Sequence, residues 1–479
     1  MNTQLIVSIL PRLCFAASTV APVIAVAGDL DGDDFDDILV GAHRLDHSGL
    51  TDVGAAAIAR GSHGGLVADQ VILPLAQGGE RAGFSVAIGD FNCDGMDDLA
   101  MGSPLENFVV PQAGIVYVYT NLGGGLFQPS WITAMDFDPA NTGSDHFGRA
   151  LAVADFDQDS CDDLAIGAPR AYHSTGVQTG LVYVAMGDAA GPRPTPQNPG
   201  MVAEPKWNLV AQFDDARFGF SLSVGDIYDE GTPDLIIGAP TRVIDGVKVG
   251  SAAAFSIQNG EFAMSWGTLS PCASGVCAAE NEGRWYGWST ATGDFDGDGS
   301  TDIAVGAPGY QNDHDGRVYL HHHGQTVGHI DSIDPTSETA RFGYAMAAGD
   351  LDEDGFDELV VGAPQATLSG GPDRSGAVFV FAGHSAGLVP PVEALTPMQT
   401  GNYANSQKFG AAVSLGYYTD TDLDLAVGAK RAKDSGIRSG GVFLYTNDGG
   451  QLHHHAPLGL SDFSWAPEAG ALFGSALSQ

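Results

Sequence analysis

A single acidic motif recurs seven times along this chain, and its even spacing is the feature that most restricts the fold. The motif is clearest in GDFDGDGSTDIAVGAP, residues 293–308. The seven copies, two of them degenerate, begin at residues 28, 89, 154, 225, 293, 349 and 416. Neighbouring copies lie 56 to 71 residues apart, which leaves room for four strands of ordinary length and their turns.

Every unit shows the same order of apolar and polar segments. A short apolar strand leads into the acidic motif, and a second apolar strand follows and ends in Gly-Ala-Pro or a variant of it. After a polar loop comes an alternating strand, such as GIVYVYT at residues 114–120 or GAVFVFA at 376–382, and then a less regular segment. Four antiparallel strands without helical periodicity are typical of a propeller blade. The 66 Gly and 25 Pro in 479 residues fit many short strands joined by turns.

A second motif, an aromatic residue followed by Gly, lies eight residues before the first Asp of most acidic motifs. The pairs are Phe147-Gly148, Phe218-Gly219, Tyr286-Gly287, Phe342-Gly343 and Phe409-Gly410, with Ala82-Gly83 as a degenerate form. The first unit has no such pair, but the end of the chain has an extra one at Phe473-Gly474. The pairs and the acidic motifs therefore match as a circle cut once. This predicts an all-β, seven-bladed propeller of four-stranded antiparallel blades, closed where the C-terminal segment joins the first blade.

Together, the aromatic-glycine pair, the DxDxDGxxD motif and the Gly-Ala-Pro end resemble FG-GAP repeats. Such repeats form the seven-bladed propeller at the head of integrin alpha subunits and of many bacterial surface proteins. The resemblance covers nearly the whole chain and implies a propeller over residues 22–479. The integrin stalk, transmembrane helix and tail have no counterpart in this sequence. Nor does the separate catalytic domain of the phospholipases that carry such repeats, so we expect a protein that is not an enzyme.

The acidic motifs offer the oxygen ligands that calcium requires. Ca²⁺ takes about six to eight oxygens, several of them carboxylates, from a flexible loop. Side chains at positions 1, 3, 5 and 9 and the carbonyl of position 7 supply them, so we predict about five Ca²⁺ sites, in loops one, two, three, five and six. The ligands would be Asp29, Asp31, Asp33, Phe35 and Asp37; Asp90, Asn92, Asp94, Met96 and Asp98; Asp155, Asp157, Asp159, Cys161 and Asp163; Asp294, Asp296, Asp298, Ser300 and Asp302; and Asp350, Asp352, Asp354, Phe356 and Glu358.

The alternative is a set of metal-free turns, because Asp and Gly are also favoured in turns. Four carboxylates that converge without a cation would repel one another, which favours the metal. These loops are not EF-hands, since position 12 is a strand residue rather than a carboxylate. We expect no tight site in loop four, where Tyr228 and Glu230 stand at positions 3 and 5, nor in loop seven, which is one residue short and begins with Tyr417.

Charge excludes one class of partner. The chain has 20 Lys and Arg against 59 Asp and Glu, a net charge of -39, so it would repel nucleic acid. The apolar run at residues 5–10 is too short to span a bilayer, and we expect no transmembrane segment. Residues 1–21 are either a cleaved secretory signal or an N-terminal extension.

The five cysteines do not form a disulfide framework at this chain length. Cys272 and Cys277 lie in one small-residue loop, and we expect a disulfide there if the protein is exported. The sequence alone does not pair Cys14, Cys93 or Cys161.

Two further groups of residues have structural interpretations that we prefer. The triplets 321–323 and 453–455 are all His and are interpreted as solvated strand ends rather than transition-metal sites. Trp131, Trp207, Trp266 and Trp465 are expected to pack between blades.

We therefore expect a calcium-binding adhesion or recognition propeller that is secreted or displayed on a cell surface. The alternatives are a carbohydrate-binding lectin and a polysaccharide-active enzyme on a propeller scaffold. A protein or glycan ligand would bind the face opposite the acidic loops, where integrin-like propellers meet ligand and where much of the scarce positive charge falls. That face would carry Arg44, His47, Glu106, Phe108, Arg170, Tyr172, His173, Arg242, Tyr310, His314, Arg374, Lys430, Arg431 and Lys433.

Overall fold

A computed structural model describes most of the chain from residue 28 onward. The described residues are 28–48, 50–74, 81–107, 111–137, 143–172, 178–189, 191, 201–203, 216–228, 230–258, 261–264, 269–272, 277, 284–309, 315–322, 325–331, 340–368, 373–391, 393–397, 407–419, 421–434, 437–464, 471, 473 and 475–477. The N-terminal segment 1–21 and Cys14 lie outside them, as do Phe108, His173, Tyr310 and His314 of the predicted ligand face.

Within these residues the strands form seven four-stranded antiparallel sheets, the blades of a β-propeller, as predicted. Blade 1 contains β1 (Ile38–Gly41), β2 (Ala56–Arg60) and β3 (Val67–Ile72), completed by a strand from the end of the chain. Blade 2 contains β4 (Ser85–Gly89), β5 (Asp98–Ser103), β6 (Ile115–Asn121) and β7 (Phe127–Ile132), followed by the helical turn α1 (Ala134–Phe137). Blade 3 contains β8 (Ala150–Ala154), β9 (Asp163–Ala168), β10 (Leu181–Ala185) and β11 (Met201–Ala203).

Blades 4 to 7 repeat the pattern, and two of them carry an extra hairpin. Blade 4 contains β12 (Ser221–Gly225), β13 (Asp234–Ala239), the hairpin β14 (Val243–Ile244) and β15 (Val247–Lys248), β16 (Ser251–Gln258) and β17 (Glu261–Met264). Blade 5 contains β18 (Ser289–Gly293), β19 (Asp302–Ala307), β20 (Arg317–His322) and β21 (Gln325–Asp331). Blade 6 contains β22 (Ala345–Gly349), β23 (Glu358–Ala363), β24 (Ala377–Phe381) and β25 (Glu393–Leu395). Blade 7 contains β26 (Phe409–Gly416), β27 (Asp424–Ala429), the hairpin β28 (Lys433–Asp434) and β29 (Ile437–Arg438), β30 (Val442–Asp448) and β31 (Gln451–His454), followed by a 3-10 turn (Leu460–Phe463) and by β32 (Ala476–Leu477).

The ring closes through the last strand of the chain. β32 pairs antiparallel with β1, with Val40 opposite Leu477 and Gly41 opposite Ala476. The innermost strands of successive blades contact one another around the ring, and β32 contacts both β26 of blade 7 and β4 of blade 2. The predicted all-β, seven-bladed closure, in which the C-terminal segment completes the first blade, is therefore confirmed.

The core lies along the inner strands of the blades. β9 is buried over its whole length because neighbouring blades cover both of its faces. The outer strands are wetter: β7 is mostly exposed, and its Trp131 is 48% exposed, so the predicted packing of this residue between blades is wrong. The other three tryptophans of that prediction, Trp207, Trp266 and Trp465, lie outside the described residues.

The two recurring glycine motifs are contacts between blades. A Cβ on Gly102, the Gly of blade 2's Gly-Ala-Pro-like end, would lie 2.1 Å from the carbonyl oxygen of Gly148. Gly148 belongs to the aromatic-glycine pair of blade 3 and has a φ of +81°. Only Gly allows both the close approach and this left-handed conformation at no cost, which explains why the two motifs recur together.

Candidate metal sites and the opposite face

In blades 2 to 7 each acidic loop joins the innermost strand to the second strand, and in blade 1 it leads into the second strand, β1, so all of them lie on one face of the ring. In the loop of blade 6, Asp350 organises the turn, because its carboxylate accepts hydrogen bonds from the amides of Asp354 (3.1 Å) and Gly355 (3.0 Å). Asp354 in turn accepts one from the amide of Phe356 (3.1 Å). Position 6 has positive φ, at 90° in Gly355, 74° in Asp34 and 74° in Ser160. The backbone therefore curls around the side chains at positions 1, 3 and 5.

Four of the five predicted sites bring ligand atoms together. In each of these loops three carboxylates contribute oxygens that lie within 4.8 Å of one another. The triplets are Asp29, Asp31 and Asp33; Asp155, Asp157 and Asp163; Asp294, Asp296 and Asp302; and Asp350, Asp352 and Glu358. Loop two has Asn92 at position 3, and no such triplet of His, Cys or carboxylate groups forms there among the residues described. A convergent, oxygen-only donor set suits a hard cation such as Ca²⁺.

The carboxylate at position 9 is buried in all five loops. Burial, with a smaller contribution from neighbouring loop carboxylates, raises the pKa of Glu358 to about 7 and that of Asp163 to about 8, against backbone hydrogen bonds that lower both. The same causes raise the pKa of Asp98 to about 7. Burial also raises the pKa of Asp37 and Asp302 to about 6, against partners that lower it. A bound cation would offset this electrostatic cost, which is the second reason the loops fit a metal.

Position 9 also has a structural role that needs no metal. Glu358 accepts hydrogen bonds from the amides of Leu351 (2.8 Å) and Gly383 (3.1 Å), and so ties the loop to the end of the third strand. Asp424 of the broken loop seven does the same through Thr419 Oγ1 (2.7 Å) and the amide of Asn447 (2.9 Å).

Two of the acidic loops have a basic side chain beside them. The residue that pairs with position 9 on the third strand is Arg60 in blade 1 and His322 in blade 5. Arg60 donates to Asp37 at 2.6 Å and lies 3.8 Å from Asp31. His322 Nδ1 lies 2.7 Å from Asp302, and the ring lies within 4 Å of two further loop carboxylates. The corresponding residues in loops two, three and six are Thr120, Met186 and Ala382.

The predicted solvation of the first His triplet is therefore wrong. His321 is buried, bonds the hydroxyl of Tyr286 at 2.5 Å, and has a pKa lowered by burial to about 3. His322 belongs to the acidic cluster, and His323 lies outside the described residues.

Sequence reasoning missed the aspartate at position 8, which links neighbouring loops. Asp162 of blade 3 accepts from the amide of Asp90 at 2.9 Å and donates its own amide to the carbonyl of Asp90 at 3.0 Å. Asp357 makes the same reciprocal pair with Asp294, at 2.8 Å in both directions. The signal was present as the doublet of acidic residues at positions 8 and 9 in loops one, two, three and six.

Two disulfides are present among the described cysteines. Cys93 of loop two bonds Cys161 of loop three, with their Cα atoms 4.9 Å apart, and so joins two acidic loops covalently. Cys272 bonds Cys277, with Cα atoms 5.0 Å apart, as predicted.

The loops at the other end of the inner strands include the residues predicted to face a ligand. Tyr172 is 53% exposed there, and Arg170, Arg374 and Arg431 line the same end of their blades. Arg242 and Glu106 differ from expectation, because both are buried, at 5% and 9% exposure.

Comparison with known proteins supports the repeat assignment. The family model described as FG-GAP repeat matches four segments, which belong to blades 2, 3, 5 and 6: residues 82–119, 147–185, 286–321 and 342–381. The chain is 30% identical to integrin alpha-5 of Xenopus laevis over 233 residues and 31% identical to integrin alpha-V of Gallus gallus over 238 residues. The fold is an integrin-alpha-like FG-GAP propeller.

This FG-GAP propeller is similar to a second kind of protein as well. It is 30% identical over 243 residues to the phosphatidylinositol-glycan-specific phospholipase D of Homo sapiens. These alignments cover 46% to 48% of this chain, but only 20% of each integrin and 27% of the phospholipase. The chain thus aligns with a fifth to about a quarter of each of these relatives. No helix among the described residues is long and apolar enough to cross a membrane.

Proposed function

We propose that this FG-GAP propeller is a calcium-binding adhesion or recognition module that works outside the cytoplasm. The observation that carries the proposal is the convergence of three carboxylates, with oxygens within 4.8 Å of one another, at the same place in four blades. Calcium bound there would neutralise the raised-pKa carboxylates at position 9. Because position 8 ties loop two to loop three and loop five to loop six, the ions would stiffen these neighbouring loops together.

Binding rather than catalysis is the role that the comparisons favour. The aligned segments are about half of this chain, and they recur in integrins and in a phospholipase D. Proteins of two kinds share this module. A role in recognition explains its presence in both kinds better than the catalytic chemistry of one enzyme does. A lectin or a polysaccharide-active enzyme remains the second candidate.

The ligand, a protein or a glycan, would bind the face opposite the calcium loops. Long connections between strands emerge there, and binding residues are most often on such loops. The two disulfides, one of which joins two calcium loops, support an oxidising compartment. Residues 1–21 would then be a secretory signal ahead of a propeller that spans residues 22–479.

Chelation tests the calcium assignment. Removal of Ca²⁺ with EGTA should lower the melting temperature by on the order of 10 °C, since several sites that bind only the folded state add their stabilisation. Calcium should restore it more fully than magnesium, which prefers a tighter octahedral site with bound water. An unchanged melting temperature after chelation, confirmed by metal analysis, would reject the calcium sites.

A joint replacement of Arg170, Tyr172, Lys430 and Arg431 tests the binding face. Adhesion to cells or matrix should fall while the melting curve keeps its midpoint. If adhesion persists and is lost instead on mutation of the calcium loops, the ligand binds the other face.

A further inference from the structure

A collar of large side chains surrounds the start of the innermost strands, on the face opposite the acidic loops. In four blades its member follows the aromatic-glycine pair directly, and in blade 2 it follows the degenerate pair Ala82-Gly83. In blades 1 and 7 it replaces the Pro of the Gly-Ala-Pro end. The collar residues are His43, Phe84, Arg149, Phe220, Trp288, Tyr344 and Lys430.

The collar residues contact one another from blade to blade. The rings of His43 and Phe84 lie 5.0 Å apart, and the guanidinium carbon of Arg149 lies 4.4 Å from the Phe84 ring centroid and 4.2 Å from that of Phe220. The chain of contacts continues through three more members. Phe220 and Trp288 are 4.7 Å apart, Trp288 and Tyr344 are 5.5 Å apart, and Lys430 Nζ lies 3.2 Å from the Tyr344 hydroxyl.

Arg149 is the unusual member of this collar. Its side chain is only 8% exposed, and its Nη1 has no hydrogen-bond partner among the described residues. It forms no salt bridge within 4 Å in the described part of the chain. Burial is the main cause that lowers the pKa of Arg149 to about 9; Tyr344 partly opposes this effect, and the charge of Arg217 adds a smaller lowering. Aromatic faces offset part of the cost of burying this cation, but they leave its N–H groups unsatisfied.

A second ring of side chains surrounds the collar. The residue before the aromatic-glycine pair has positive φ, between 56° and 63°, in all six blades where it is described. These residues are Arg81, His146, Arg217, Trp285, Arg341 and Lys408. Gly or Asn would adopt this conformation more easily, yet four of the six are Arg or Lys in a chain with only 20 such residues. The collar and the ring of side chains around it therefore form a cationic zone in a protein whose net charge is -39.

We propose that the collar binds a single carboxylate, from an acidic side chain of a partner protein, against the free edge of the Arg149 guanidinium. The proposal rests on the proposed function, to which it adds the chemistry of the ligand. Arginine and carboxylate form paired, coplanar hydrogen bonds that would satisfy the buried N–H groups.

Geometry and charge favour a protein carboxylate over other anions. Phe84 and Phe220 flank the Arg149 guanidinium from the two neighbouring blades, so a ligand would have to approach it edge-on, and a planar carboxylate suits that approach better than a tetrahedral sulfate or phosphate group. A long polyanion, such as a sulfated glycan, would also be repelled by the rest of this acidic chain. A single Asp or Glu on a loop of a partner protein would contact the cationic collar without bringing further negative charge near the rest of the acidic surface.

The test uses short peptides on the whole protein in calcium-containing buffer. The pentapeptide acetyl-GGDGG-amide is titrated against acetyl-GGNGG-amide, sodium sulfate and a heparin oligosaccharide, with calorimetry and the Nε–H NMR signal of Arg149 as readouts. The Asp peptide should bind at least about tenfold more tightly than the Asn peptide and shift the Arg149 signal. Arg149→Met should reduce its affinity at least about tenfold, whereas Arg438→Met, which removes one exposed charge outside the collar, should change it less than about twofold.

Three results would overturn the proposal. These are equal binding of the Asp and Asn peptides, undiminished binding by Arg149→Met, and binding of sulfate or heparin in preference to the Asp peptide. Arg149→Met should melt no lower than the native protein, because it removes a buried charge and keeps the packing volume. If it fails to fold, the comparison of the two peptides on the native protein still decides. If chelation leaves the melting temperature unchanged and the Asp peptide still binds, the calcium sites are rejected and the proposal for the collar stands.

Discussion

The acidic loops of blade 6 and blade 1 differ in what lies beside them rather than in their own residues. Each places four carboxylates at positions 1, 3, 5 and 9. In blade 6 the third-strand residue opposite position 9 is Ala382, and the loop stays purely acidic. In blade 1 it is Arg60, which lies 2.6 Å from Asp37 and 3.8 Å from Asp31. The Arg60 guanidinium thus supplies part of the positive charge that calcium would otherwise supply.

The acidic loop of blade 5 is chemically intermediate between these two loops. His322 holds Asp302 at 2.7 Å, and burial, which lowers the pKa of His322, is outweighed by its hydrogen bond to Asp302 and by the loop's negative charge. When protonated it acts as Arg60 does, and when neutral it offers a nitrogen ligand. The three blades show that one motif can be tuned by a residue outside it.

The largest expected effect comes from removing ligands in blade 6. Asp352→Ala combined with Asp354→Ala should lower the free energy of unfolding by about 2.7 kcal/mol at a calcium concentration 100 times the dissociation constant. The same pair in blade 1, Asp31→Ala with Asp33→Ala, should cost less, because Arg60 competes with calcium there. Urea denaturation with calcium and with EGTA measures both. Equal losses in the two blades, or losses that are undiminished in EGTA, would contradict the comparison.

Acidification should stabilise the calcium-free protein. The native pKa of Glu358 is raised to about 7, so between pH 4 and pH 7 the native state binds more protons than the unfolded chain. Stability therefore falls as pH rises through this window and levels off above it.

Calcium should reverse this trend, because its ligands must be deprotonated. The pKa of Asp37, raised only to about 6 beside Arg60, should make blade 1 the smaller contributor. Melting curves from pH 5 to pH 8, with and without EGTA, check the sign. Calcium-free protein that is more stable at pH 8 than at pH 5 would refute it.

Exchanging the third-strand residue should exchange the behaviour of the two loops. Arg60→Ala should tighten calcium binding in blade 1 by about tenfold, equivalent to about 1.4 kcal/mol, and Ala382→Arg should weaken it in blade 6 by a similar factor. Terbium luminescence or calorimetric titration would report the affinities. Affinities that do not move in opposite directions would show that the neighbouring charge is irrelevant.

The smallest expected effect concerns the link between loops. Asp357→Asn keeps one acceptor for the amide of Asp294 but loses the charge, and should cost about 0.5 to 1 kcal/mol. It should also reduce any cooperativity between calcium binding in blades 5 and 6. Asp373→Asn, in an exposed turn on the opposite face of blade 6, is the control for losing one surface charge, because its amide oxygen can still accept from Thr367 Oγ1. A cost equal to that of the control would leave position 8 without a linking role.

Repetition made the fold predictable, because motifs in register specify strand order and ring closure without knowledge of side-chain contacts. The loops were predictable for the same reason. Arg60 and His322 were not, since placing them beside position 9 requires the exact pairing of the second and third strands. The Cys93–Cys161 bond required knowing that position 4 of one loop faces position 7 of the next. Arg149 gave no signal, because an Arg after an aromatic-glycine pair is ordinary until its neighbours are known.

The pairing of β32 with β1 has a consequence for the order of assembly. Residues 476 and 477 are made after every other strand, yet they supply the innermost strand of the blade that is made first. A growing chain would therefore carry blade 1 with an unpaired edge until blade 7 and β32 have been made. Loss of β32 would thus leave β1 with an unpaired edge, so a change at one end of the described chain would alter the blade built from the other end.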